Sequence, residues 1–193
     1  MLKSLGLPLT TLLAVLLLQG CAALVVGGAA TTAMVAHDRR TAGIQVEDQT
    51  IELKAIDLLS KDEQIKQGSK INVTSYNKVV LLTGQAGSDA VRSKAEQVVS
   101  KVAEVRRVVN EVELGSTATF GEHTRDLTIT SELKLKLTQI KIADFDPLRV
   151  KVVTERGVIF LMGLLTKEEA AAVTEVARHI SGARRVVKVF EYI

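Results

Sequence analysis

The sequence predicts an α/β (α+β) fold of two tandem small modules. Each is ordered helix, strand, strand, helix, strand, with a three-stranded mixed sheet packed on two helices. Three observations predict it. Residues 48–114 and 126–193 repeat each other: Asp48-Gln49-Thr50-Ile51 matches Asp126-Leu127-Thr128-Ile129, Val79-Val80-Leu81-Leu82-Thr83-Gly84 matches Val158-Ile159-Phe160-Leu161-Met162-Gly163, and Arg106-Arg107-Val108-Val109 matches Arg184-Arg185-Val186-Val187. The spacings are 78, 79 and 78 residues, and a near-constant period is the mark of homologous units. Hydrophobic residues make up 47% of the chain but aromatics only 3%, with no Trp, so the cores are aliphatic and built in small pieces. Finally, 193 residues hold one ordinary domain or two small ones. The repeat selects two, each near the lower size limit for a core of its own.

The elements follow in chain order. Lys3 precedes an apolar stretch from Leu5 to Leu18. That stretch is short for a membrane span and suits the apolar region of a secretory signal. It ends in Leu18-Gln19-Gly20-Cys21, which resembles the lipobox of bacterial lipoprotein precursors. The resemblance implies a signal peptide over 1–20, cleavage before Cys21, a diacylglyceryl group on its thiol, and an acyl chain such as palmitate on the new amino group. Three chains at one residue exceed the two needed for stable anchoring. The sorting rule of enterobacterial-type lipoproteins retains those with Asp after the cysteine in the inner membrane. Ala22 therefore implies passage to the outer membrane, facing the periplasm. Cys21 is the single cysteine, so no intrachain disulfide forms. Residues 22–36 are small and apolar and are interrupted by Gly27-Gly28. They read either as a tether near the lipid surface or as a docking segment for another envelope protein.

Within each module, Ile51, Ala55, Leu58 and Leu59 have helical spacing. The equivalent stretch 127–137 is ambiguous, because Leu133, Leu135 and Leu137 also alternate like a strand. Homologous segments share a fold, so both are expected to be helices, with Asp48 and Asp126 as N-caps. Extended runs follow over 71–75 and 79–83, then over 150–154 and 158–162. The joining residues, Tyr76-Asn77-Lys78 and Glu155-Arg156-Gly157, suit tight hairpins because Asn and Gly tolerate positive φ. Gly84 and Gly163 are expected to end the second strands. Helices then cover 88–102 and 166–180, the latter opened by a Thr166–Glu169 capping box. Last strands cover 107–114 and 185–193. The chain thus divides into 1–20, a lipidated N-terminus and tether over 21–46, a module over 47–115, a linker over 116–124, and a module over 125–193.

A hairpin ending in V-x-L-x-G, a helix, and then Gly182-Ala183-Arg184-Arg185-Val186 resembles the BON domain, a family of periplasmic and outer-membrane bacterial proteins. Two copies behind a lipobox, with Asp38-Arg39-Arg40-Thr41 leading to Gln45-Val46-Glu47-Asp48, narrow the resemblance to double-BON outer-membrane lipoproteins. It implies a non-catalytic protein that binds anionic phospholipid through its second BON domain, supports envelope integrity and gathers at the division site. The alternative is an assembly adaptor whose modules bind another periplasmic, outer-membrane or division-site protein. The implied phospholipid-binding residues are Phe120, Gly121, Thr124, Leu127, Thr128 and Lys134, and the implied lipid anchor is Cys21. Two departures stand out. Glu104 occupies the first-copy position of the family's glycine before the last strand, matched by Gly182 in the second. Thr128 aligns with a position that commonly carries a membrane-inserting aromatic, and Phe120 lies upstream.

Other chemistries find little footing. A net charge of +3 does not argue for nucleic acid. None of His37, His123 and His179 has a second ligand at metal spacing, and His179 reads as a cation at a helix C-terminus. No G-x-S-x-G motif or phosphate loop is present. No catalytic residue, metal or cofactor is therefore expected. In the stretch 126–138, Lys134 and Lys136 accompany Leu127, Leu133, Leu135 and Leu137. The leucines either face their own core, with the lysines solvated, or form a basic, apolar face at a lipid surface. The repeated arginine pairs at 106–107 and 184–185 read as structural. Arg39-Arg40 reads either as an ordered start to the globular part or as a polar break after the tether.

Overall fold

The computed structural model describes residues 38–193, a compact unit. The expected signal peptide over 1–20, Cys21, the stretch 22–36 and His37 lie outside the described residues. The first module comprises α1 (Ala42–Lys61), α2 (Glu63–Gly68), β1 (Ser69–Tyr76), β2 (Val79–Ala86), α3 (Asp89–Val99), β3 (Arg107–Asn110) and β4 (Glu113–Leu114). The second comprises α4 (Phe120–Leu137), a 3-10 turn at Pro147–Arg149, β5 (Lys151–Glu155), β6 (Val158–Leu165), α5 (Lys167–Arg178) and β7 (Arg185–Tyr192). In each sheet the second strand is central. It pairs antiparallel with the first, and parallel with the last. This is the expected mixed sheet, repeated.

Both opening helices start earlier than the apolar spacing suggests. Their N-caps are Thr41 and Thr119, whose hydroxyls accept from the backbone N–H of Ile44 and Glu122. Asp48 and Asp126 are not caps. They lie buried two turns into the helices, for a reason given below. Phe120 to Thr124, read from sequence as linker, form the first turn of α4. Thr119 and Glu122 make a reciprocal capping box there, and Thr166 and Glu169 make the expected one on α5. Leu58 is 40% exposed, so α1 buries only Ile51, Ala55 and Leu59 of the four apolar residues. The short α2 leaves no trace in the apolar pattern. It is set by Asp62, whose carboxylate accepts from the N–H groups of Gln64 and Ile65.

The glycines expected to end β2 and β6 do not end them. A Cβ on Gly84 would lie 2.1 Å from the Lys70 carbonyl oxygen, and one on Gly163 would lie 2.8 Å from that of Arg149. Glycine is required because the neighbouring backbone occupies the side-chain space, and both strands run on past it. The last strand of the first copy is broken where the second copy's is continuous. The Asn110 side chain accepts from the Val112 N–H and donates to the Arg92 carbonyl, which splits the predicted strand into β3 and β4.

Alternation along the central strands explains how the two modules join. Val80 and Leu82 face the first module's own helices, and Ile159 and Leu161 face the second's. Their neighbours Val79, Leu81, Val158, Phe160 and Met162 point the other way and form a third core with Tyr76 and Val189. Side chains alternate across a strand, so a strand buried on both faces reads as a continuous apolar run. VVLL and VIFLM are such runs. The two sheets therefore pack face to face, each with its helices outside, and the modules are docked firmly.

Candidate functional site: the outward face of the fourth helix

In each module a helix carboxylate grips the hairpin turn. Asp126 accepts from the N–H of Arg156 (2.7 Å) and of Gly157 (2.7 Å). Asp48 accepts from the N–H of Asn77 (2.8 Å) and of Lys78 (2.7 Å), and also from the Ser75 hydroxyl (2.6 Å). The turn residues Asn77, Lys78, Arg156 and Gly157 all have positive φ, the geometry of the favoured two-residue hairpin. The first arginine of each repeated pair serves the same turn. Arg106 donates to the Asn77 carbonyl and Arg184 to that of Arg156, so their role is structural.

Arg39 and Arg40 are an ordered start, and they clasp the two modules. Arg39 forms a bidentate pair with Glu169 (2.6 and 2.9 Å) and donates to the Leu164 carbonyl. Arg40 pairs with Asp38 and with Asp48 (2.7 Å) and stacks 3.8 Å from the Tyr76 ring centroid. The Arg39 hydrogen bonds hold the buried Glu169 carboxyl below the usual carboxylate range, against the opposing effect of burial. Further cross-links run between the modules. Buried Glu155 accepts from Gln85 (2.7 Å) and Asn72, Glu191 accepts from Asn77 and Arg106, and Glu111 from Arg185.

With Asp126, Ile129, Leu133 and Leu137 turned inward, the opposite face of α4 is left to solvent. Phe120 is 88% exposed, Leu127 69% and Leu135 68%. Gly121, Thr124, Thr128 and Lys134 are exposed as well. The structure thus brings all six predicted residues onto one face of one helix, with Phe120 and Gly121 at its tip. No neighbouring atom lies within 4 Å of where a Gly121 Cβ would be. The leucines divide: Leu133 and Leu137 belong to the core, whereas Leu127 and Leu135 do not. Thr128 contributes no aromatic, and its hydroxyl donates to the Thr124 carbonyl. Lys136 pairs with Glu132 (2.9 Å) along the helix, whereas Lys134 forms no ion pair among the described residues. Leu135 was not among the six; an exposed leucine beside a core one is legible only once the helix phase is fixed by Ile129 and Leu133.

His179 caps α5, its Nδ1 lying 2.9 Å from the Glu175 carbonyl oxygen. Among the described residues no three His, Cys, Asp or Glu side chains converge as metal ligands. No helix among them is long and apolar enough to cross a membrane.

A doubled small α/β module with its hairpin gripped by a helix carboxylate defines the class. The chain belongs to the BON-domain family, whose profile matches residues 47–116 and 125–193. It is 38% identical over 183 residues to the outer membrane lipoprotein DolP of Haemophilus influenzae, covering 93% of this chain and 92% of that one. It is also 37% identical over 156 residues to a 21 kDa hemolysin of Actinobacillus pleuropneumoniae, covering 81% and 79% respectively. This is therefore a double-BON protein similar to DolP.

Proposed function

We propose that the protein is an outer-membrane lipoprotein, held at the periplasmic leaflet by acylated Cys21, whose second module binds anionic phospholipid and helps maintain the membrane barrier. The name of the Haemophilus influenzae relative and the lipobox at residues 18–21 support the anchor and the location. The observation that carries the lipid contact is the exposed face of α4. An aromatic and two leucines, all more than two-thirds exposed, share it with the unpaired Lys134. Burying an aromatic or a leucine stabilises by about 1.5–3 kcal/mol. Each lysine near an anionic surface adds about 1 kcal/mol. Tethering raises the effective concentration of the face at the membrane, so a weak contact suffices. The reading assigns the protein no catalytic step.

The test is co-sedimentation of residues 38–193, which carry all three cores, with phosphatidylglycerol and with phosphatidylcholine vesicles. The wild type is expected to sediment with the anionic vesicles alone, and Leu127→Glu/Lys134→Glu to remain in the supernatant. A wild type that ignores both vesicles would refute the lipid contact and favour an adaptor for another envelope protein.

A further inference from the structure

Beside the outward face of α4, and continuous with it through Leu135, lies a groove of about 420 Å³. Its apolar wall includes Leu135 on α4, Leu148 in the 3-10 turn, Val152 on β5 and, across the module boundary, Tyr76. Lys134 and Lys151 stand at its lip, both exposed and neither in an ion pair among the described residues. No residue lining the groove carries a carboxylate. Arg40 also lines it, already paired with Asp38 and Asp48. The volume lies within the range of small-molecule sites, which are mostly apolar with a few placed polar groups.

The first module has the same groove in weaker form. Ile56, Leu59 and Ser60 of α1 correspond to Lys134, Leu137 and Thr138, and Ile71 to Val150. The space there is about 230 Å³. Residue Ile56 replaces a lysine, and Asn72 stands where the second module has Lys151. Lys66 and Lys70 also line the first-module space, Lys66 paired with Glu63. The larger version, with two lysines free of ion pairs among the described residues and Tyr76 of the first module as a wall, is the second copy's.

We infer that this groove binds a single anionic glycerophospholipid, with one acyl chain along Leu135, Leu148, Val152 and Tyr76 and the phosphate ester between Lys134 and Lys151. The inference rests on the membrane-contact reading of α4 and deepens it. The outward face meets the bilayer, and the groove selects one lipid molecule from it. Charge complementarity argues for the occupant: two unpaired ammonium groups at the mouth of an apolar slot match an anionic amphiphile and disfavour a neutral headgroup.

A lipid dispersed as monomers separates the two ideas, because it offers no surface. Residues 38–193 would be titrated with dihexanoyl-phosphatidylglycerol below its micelle concentration, with the phosphatidylcholine of equal chain length, and with glycerol 3-phosphate, following NMR shifts. The expected result is saturable shifts at Tyr76 and Val152 with the anionic lipid, at least tenfold weaker affinity for the choline lipid, and none for glycerol 3-phosphate. Leu148→Trp, which fills the slot from an exposed position, and Lys151→Glu should each weaken binding at least tenfold while leaving the melting temperature unchanged. Unaltered affinity in both variants would overturn the groove, as would glycerol 3-phosphate binding as well as the lipid. No monomer binding by a protein that still sediments with phosphatidylglycerol vesicles would overturn the groove and leave the α4 contact standing. Failure of both would remove both.

Discussion

Thr41 and Thr119 start the two opening helices, and seven residues later Asp48 and Asp126 grip the two hairpins, so α1 and α4 are fixed to their modules in the same way. Their outward faces differ. At equivalent positions α1 carries Ala42, Val46, Gln49, Leu53, Ile56 and Asp57, and α4 carries Phe120, Thr124, Leu127, Ser131, Lys134 and Leu135. Apolar exposure alone does not separate them, since Leu53 is 70% exposed and Val46 62%. Charge and aromaticity do. On the α1 face Asp57 pairs with Lys61, and beyond it Asp62 pairs with Lys94 and Glu63 with Lys66. The α4 face carries Lys134, in no ion pair among the described residues, with Phe120 at its tip. Duplication preserved the internal clamp and left the outer faces free to diverge, and the proposed lipid contact is accordingly assigned to the second copy alone.

Exchanging the faces breaks the comparison with the largest effect. Phe120→Glu/Leu127→Glu removes two apolar anchors worth about 1.5–3 kcal/mol each, so affinity for phosphatidylglycerol vesicles should fall at least about a hundredfold. Ala42→Glu/Gln49→Glu, the same positions on α1, should change it little. Vesicle titration of the two double variants reads the difference.

The clamps differ in what their loss exposes. Asp126→Ala leaves two turn N–H groups without their acceptor, and should cost about 1–3 kcal/mol. Asp48→Ala also strips Arg40 of a buried partner, and should cost about 3–5 kcal/mol. Urea unfolding of both variants checks the ordering. A single shared transition is expected in each, since the sheets share a core.

Acid should act on the clasp. The folded pKa of Glu169 is depressed, chiefly by its hydrogen bonds from Arg39. Its contribution is therefore fully present above the ordinary glutamate value of about 4.3, and is lost as pH falls through the folded value. Melting curves between pH 7 and 3 should show wild type and Glu169→Gln converging as the pH drops. The smallest effect concerns the turn before the last strand, where Glu104 and Gly182 share positive φ. Gly182→Ala should lose about 1–2 kcal/mol, and Glu104→Gly should raise the melting temperature slightly.

The repeat made the two-module architecture legible, and it resolved the strand-or-helix ambiguity of 127–137 correctly. Helix starts were not legible, because Asp48 and Asp126 have the chemistry of caps and only tertiary structure reveals that they serve turns some thirty residues away. Gly84 and Gly163 read as strand ends because glycine usually punctuates, whereas here a crossing carbonyl excludes a side chain. The docking of the sheets was not read from the sequence, because an unbroken apolar run such as VVLL or VIFLM does not say what covers its second face. The Arg39–Glu169 clasp joins residues 130 positions apart and leaves no local signal. On α4 the six candidate residues were named through family resemblance. Their convergence on one exposed face, and the groove completed by Tyr76 from the other module, required the fold.

The chain contains no Trp, which allows a single reporter. Phe120→Trp and Ala42→Trp place the same fluorophore at equivalent first-turn positions of α4 and α1. With phosphatidylglycerol vesicles, emission from position 120 should shift to the blue while emission from position 42 stays unchanged, and phosphatidylcholine should move neither. A shift at position 42 alone, equal shifts at both positions, or no shift at position 120 would contradict the assignment of the membrane contact to the second module.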